Sequence, residues 1–149
     1  MSNSNDFHTL KIGILRNVTS QEKKKEPHFH NYHEFMYIIR GKARVSINDR
    51  DYDAGPNSML AISNLEKHHW KTLELPFERY CIMFKPEYFQ AAVPDQILSS
   101  VFRNRPNSFI HLLQLTQNDS EHLLNLVHLM EAEIQNEKAF TLIEVLASI

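Results

Sequence analysis

The sequence predicts a mainly β domain, a sandwich or small barrel, followed by C-terminal α-helices. Three observations carry that expectation. Short runs rich in β-branched and aromatic residues recur between about residues 8 and 84, with turn residues between them. After Pro86 the apolar period changes from strand-like to helical. A length of 149 residues with 42% hydrophobic content suits one domain with a real core. Residues 1–149 therefore read as a single domain, with a β-barrel over about 8–84 and a mostly helical extension over 86–149.

Each element has its own signal. The run Lys23-Lys24-Lys25 lies between Glu22 and Glu26 and reads as a solvated loop rather than a nucleic-acid patch. Glu34 to Arg40 is aromatic and β-branched, a strand composition. Across Gly41-Lys42, the segment Ala43 to Asn48 alternates apolar and polar residues, as a half-buried strand does. Asn48-Asp49-Arg50-Asp51 reads as the next turn. Ser58–Ile62, His69–Leu73 and Arg79–Phe84 follow as further strands. Glu87–Ala92 and Asp95–Phe102 look like short helices, each with a proline near its start, and Phe109–Leu115 returns to strand. Asn118 with Glu121 suggests a capping box. Beyond it Leu123, Leu126, Val127, Met130 and Ile134 recur at helical spacing, giving an amphipathic helix to about Asn136. A second apolar helix begins near Phe140 and is still running at Ile149 without a cap, which reads as a chain that continues. With only three glycines, Gly13, Gly41 and Gly55, each is expected at a backbone position that other residues fill badly.

Composition excludes several classes. A net charge of −2 argues against nucleic-acid binding by these residues, because phosphate contacts need a basic face. No apolar run approaches the ~20 residues of a membrane span, so no membrane partner is expected. The polar start Met1–Asp6 lacks the layout of a secretory signal. A single cysteine, Cys81, allows no internal disulfide, fits a cytoplasmic location and reads as a buried hydrophobe.

Histidine is the informative excess: nine in all, five of them within residues 28–69. In Pro27-His28-Phe29-His30-Asn31-Tyr32-His33-Glu34, residues two apart on an extended strand share a face. His28, His30 and Glu34 then converge, and His33 faces away. Two imidazoles and a carboxylate can ligate a divalent transition metal while leaving positions open. The local supply of a fourth ligand is His68 or His69, and the sequence leaves open which.

The spacing His28-x-His30-x3-Glu34-x6-Gly41 resembles the first motif of the cupins, and Tyr52-Asp53-Ala54-Gly55 resembles the turn that opens their second. Glu34 to Gly41, Ile62 to His68 and Phe84 to Phe89 together resemble the N-terminal sensing domain of AraC-type transcription regulators, from about residue 8 to 149. Departures are clear: Glu22, Asn57, Ser63, Leu65 and Thr72 stand where the cupin motifs usually carry glycine, glycine, proline, glycine and asparagine.

The resemblance implies a double-stranded β-helix that binds a small-molecule effector. It also implies a homodimer through a C-terminal helix, with DNA bound only through helix-turn-helix motifs that this chain lacks. His28, His30, Glu34 and His68 would contact the effector directly or through one divalent ion (Zn, Ni, Fe or Mn). Met36, Trp70 and Tyr80 are further candidates for the pocket, although aromatic residues in so small a barrel also serve as core. Leu123, Leu126, Val127, Met130 and Ile134 are the candidate dimer seam, or else simply pack on the barrel. The rival reading is a stand-alone metal-dependent cupin enzyme, a dioxygenase or isomerase; the sensor reading makes the chain no enzyme.

Overall fold

The computed structural model describes residues 12–28, 30–93, 95, 100, 102–103 and 105–135. Their order is β1 (Ile12–Thr19), β2 (Lys24–His28), β3 (His33–Ile47), β4 (Arg50–Ala54), β5 (Ser58–Ile62), β6 (His68–Phe84), α1 (Pro86–Ala92), β7 (Leu112–Gln114) and α2 (Gln117–Gln135). All pairings are antiparallel. The expected β-barrel followed by helices is what the chain forms.

Two long strands organise it. β3 and β6 pair along their whole lengths, from His33 opposite Phe84 to Ile47 opposite His68. One half of this ribbon is flanked by β1 and β5, with β7 beyond β5; the other half is flanked by β2 and β4. The sequence reading divided each long strand in two, at Gly41 and near Leu75. Both are instead continuous, because the ribbon bends through successive register shifts between Ile38 and Ala43.

Gly41 makes that bend possible. Its φ is +78°, and an added Cβ would lie 2.2 Å from the Pro76 carbonyl oxygen and 2.6 Å from that of Glu74. Gly41→Ala is therefore expected to cost at least about 2 kcal/mol, combining a left-handed backbone with overpacking. Gly55 departs from expectation, since a Cβ there meets only the Lys42 side chain at 3.6 Å. Gly55→Ala is expected to stay within about 0.5 kcal/mol of the parent, and urea midpoints of the two variants check the contrast. At the β3–β4 hairpin Asn48 and Asp49 both take positive φ, which short polar side chains tolerate.

The ribbon is buried on both faces. Met36, Ile38, Val45, Ile47, Leu60, Ile62, Trp70, Phe77 and Cys81 point into the barrel. Tyr37, Tyr80, Ile82 and Phe84 alternate with them and form the outer face, covered by Phe102, Val127 and Met130. The helices are thus a layer against one side of the barrel.

Several local expectations need correction. Lys24 and Lys25 are exposed but belong to strand β2, pairing with Lys71 and Trp70, because β6 is long enough to recruit them. The helix cap is Thr116, whose hydroxyl accepts from the Asp119 N–H at 3.1 Å, and not Asn118. The expected strand over 109–115 shortens to Leu112–Gln114. The helix expected over 95–102 falls largely outside the described residues, and the one from Phe140 lies wholly outside them.

Candidate functional site

β2, the loop that follows it, and the start of β6 bring three imidazoles together. His28 pairs with His68 across the β2–β6 ladder. Their ring centroids are 4.2 Å apart, and His30 lies 4.8 Å from His68. One nitrogen from each of His28, His30 and His68 falls within 4.8 Å of the others. His68 is the buried member at 1% exposure. His69 points outward instead, into a groove of about 460 Å³ with Lys24, Arg44 and Lys71. That resolves which of the two histidines faces inward.

The backbone sets the tautomers. The Nδ1–H of His28 donates to the Glu26 carbonyl at 3.0 Å, that of His30 to Tyr32 at 3.2 Å, and that of His68 to Glu66 at 3.0 Å. A carbonyl only accepts, so each Nδ1 carries a proton and Nε2 is the nitrogen each ring has left to offer a ligand. Fixing a ring through its distal nitrogen is how metal-binding histidines are oriented. His68 Nε2 is buried with no hydrogen-bond partner. An orphaned lone pair inside a cluster of three imidazoles fits a divalent ion, whose identity the donor set does not single out.

Glu34 stands beside this group. Its Oε2 accepts from His30 Nε2 at 3.0 Å and is 3.6 Å from His68 Nε2. Burial would raise its pKa, but the His30 hydrogen bond and the field of His68 and His30 hold it below the ordinary carboxylate value. Burial opposes the charged form of His30, yet the same carboxylate raises its pKa overall. The pKa of His68 is pushed down, by burial first. Glu34 thus lies within reach of two of the three histidines.

His33 does face away from the patch, as strand parity demands, but it is buried. It stacks on Phe102 at 4.2 Å, and its Nδ1 accepts from the Asn64 N–H at 3.3 Å. Burial, then the Arg105 guanidinium, push its pKa down to about 4.

The remaining expected site residues divide between the two faces. Met36 and Trp70 line the barrel interior with His68. Tyr80 does not: it lies on the outer face of β6, against the α2 cluster. Val127 and Met130 are buried against that same face, and Leu123 and Ile134 pack on it. These four candidate seam residues pack against the chain's own sheet, because α2 needs an apolar face to dock at all.

Sequence reasoning missed a buried polar network behind His68. Glu66 accepts from the Ser63 N–H at 2.8 Å and from Arg105 Nη1 at 2.6 Å on Oε1. Its Oε2 meets His111 Nε2 at 2.5 Å, and the Tyr52 hydroxyl lies 2.8 Å from His111 Nδ1. The residue that orients His68 through its carbonyl is therefore held by three segments through its carboxylate. Partners 39 and 45 positions away leave no signal at the level of spacing.

Comparison with known proteins accords with this architecture. The family described as the AraC-like ligand binding domain matches residues 14–146. No curated protein matches the chain. Among solved structures, KdgF from Halomonas sp. is similar at 13% identity, over 50% of this chain and 68% of its own, with a TM-score of 0.48. A cupin superfamily protein from Desulfitobacterium hafniense is 15% identical over 50% and 68%, with a TM-score of 0.47. The plu4264 protein from Photorhabdus luminescens is 23% identical over 53% and 67%, with a TM-score of 0.45. No helix among the described residues is long and apolar enough to cross a membrane.

Proposed function

The chain belongs to the AraC-like ligand binding domain family, and on that premise we propose that it is a sensor. A small-molecule effector binds in the barrel, and occupancy is passed to a DNA-binding region outside these 149 residues. The effector meets His28, His30, His68 and Glu34 directly or through one divalent ion held by the three histidines. A bound ion would supply open coordination positions for ligand oxygens.

One observation carries the reading: the site and the helix layer share strands at adjacent positions. Glu34 faces the histidines while His33, its neighbour, stacks on Phe102 of the helix-side cluster. A ligand that displaces the inner residue has a short route to the outer one, which gives it different affinities for two arrangements of barrel and helices. The test is a thermal-shift screen of small molecules. A true effector at a hundred times its dissociation constant adds about 2.7 kcal/mol of stability. His68→Ala should erase that gain.

The same reading includes a homodimer through α2 in the cytoplasm. Because Val127 and Met130 face the sheet, the seam falls to the opposite arc, where Leu129 is 55% exposed and Leu126 is partly buried. Leu129→Glu is expected to yield monomers by light scattering, with a melting midpoint that no longer depends on protein concentration. Met130→Glu should instead lower stability by about 3 kcal/mol or more, since it buries a charge. A parent chain that stays monomeric at high concentration refutes the dimer.

A metal-dependent enzyme is the second reading, favoured by three imidazoles that all present Nε2. Stoichiometric metal with turnover on a substrate panel would support it. Metal-free protein that still binds ligand would sink it.

A further inference from the structure

Beyond the histidine patch, the barrel interior contains one residue that the fold does not explain. Arg79 lies opposite Ile38 in the ribbon, on the face that also carries Cys81 and Phe77. It is 8% exposed. Its guanidinium sits over the Trp70 ring at 4.4 Å and near Phe77 at 5.1 Å. Nε and Nη1 are both buried without a hydrogen-bond partner, and Arg79 makes no ion pair among the described residues. Its polar neighbour is the Cys81 thiol, which also contacts Glu34.

Stacking on aromatic faces compensates for part of the lost hydration. It supplies no acceptor for the N–H groups of these two buried nitrogens. A permanently charged group left in that state is costly, and a purely structural role is better filled by an apolar side chain of similar volume. The adjacent Glu78 shows the contrast. It faces outward, and both Arg16 and Arg40 pair with it. Arg79, one residue on, faces inward with Nε and Nη1 unmet.

Resting on the sensor reading, we propose that the barrel's ligand is a small organic carboxylate whose anionic end is received by Arg79. An oxyanion has acceptor lone pairs for the unmet donors, and guanidinium is the side chain best matched to it. Trp70 and Phe77 then flank the bound end. Cys81 and Glu34 form the polar link from Arg79 to the histidine patch at the other end of the ligand.

The test uses matched pairs of acid and neutral analogue: benzoate with benzamide, glucuronate with glucose, succinate with succinamide. Binding is read by thermal shift and calorimetry, with EDTA present so that no histidine-bound ion serves the anion. At least one acid is expected to bind, its neutral partner at least tenfold more weakly. Arg79→Met should remove that preference, and Arg79→Lys should retain part of it. Ligand-free Arg79→Met should melt no lower than the parent, which keeps the inference testable whatever the panel contains. A lower melting midpoint for that variant would make Arg79 structural and overturn the proposal. Neutral compounds that bind as well as their acids, lose binding in His68→Ala and are indifferent to Arg79→Met would overturn it while leaving the sensor reading intact. If neither series binds, the carboxylate assignment falls and the sensor reading loses support with it.

Discussion

Replacing Glu66 with glutamine is expected to cost the folded domain about 3–5 kcal/mol, the usual loss when one member of a buried ion pair is removed. The carboxylate binds Arg105, His111 and the Ser63 N–H at once, all with little solvent. A glutamine keeps one acceptor oxygen and places an N–H₂ group where the other carboxylate oxygen met a donor. The Arg105 guanidinium is then left beside Phe102 and Phe109 with no counter-charge from Glu66. Urea midpoints measure the loss, and an unchanged midpoint would remove the network from the stability of the fold. A double replacement, Glu66→Leu with Arg105→Leu, should recover much of it, because the desolvation cost of both charges disappears together. The loss should also reach the metal site. His68 takes its orientation from the Glu66 carbonyl, and supporting partners of this kind are typically worth 10–100-fold in metal affinity.

Acid should unfold the domain in two stages. His33 is held neutral in the fold, with its pKa at about 4 against an ordinary value of 6.5. The unfolded chain therefore binds the extra proton first, and stability falls as pH drops from 6.5 toward 4. Glu66 follows. Burial would raise its pKa, but His111, the Ser63 N–H and Arg105 hold it below the usual 4.5. Its contribution is present above that ordinary value and is lost as pH falls through the lower folded value. Denaturant midpoints across this range should show the upper slope disappear in His33→Gln, with the lower one kept.

The site was legible where chemistry and strand parity coincide. Parity puts His28, His30 and Glu34 on one strand face, and they do come together, but through the end of β2, a loop and the start of β3 rather than one strand. The choice between His68 and His69 was not legible, because two adjacent histidines present opposite faces and only the pairing of β6 with β2 decides. Tyr80 as a pocket candidate, and the absence of Arg79 from the candidates, have one physical reason. Residues 77–82 are buried on both faces, so the alternation that separates inside from outside is absent from the sequence. The packing places Arg79 inside, opposite Ile38, and Tyr80 outside, against the α2 cluster. The bends in β3 and β6 were hidden similarly: Gly41 looks like a turn until the backbone of Glu74 and Pro76 is found against it.

Metal binding should show which role Glu34 has. His30 holds its Nδ1 proton for the Tyr32 carbonyl and must give up its Nε2 proton to ligate, while Glu34 favours keeping that proton. Binding of Ni²⁺ or Zn²⁺, followed by calorimetry, is therefore expected to strengthen as pH rises through the raised His30 pKa and to release about one proton from that ring. His68→Ala should weaken binding by more than the roughly 100-fold that a supporting partner is worth, since it removes a donor outright. Glu34→Gln separates two possibilities. If the carboxylate only holds the His30 proton, its loss lowers the His30 pKa, and binding begins at a lower pH with nearly the same plateau affinity. If Glu34 is itself a ligand, the variant binds more weakly at every pH, plateau included. The hydrogen bond to His30 and the three-histidine grouping favour the first outcome. A plateau that falls by tenfold or more would place Glu34 among the donors instead.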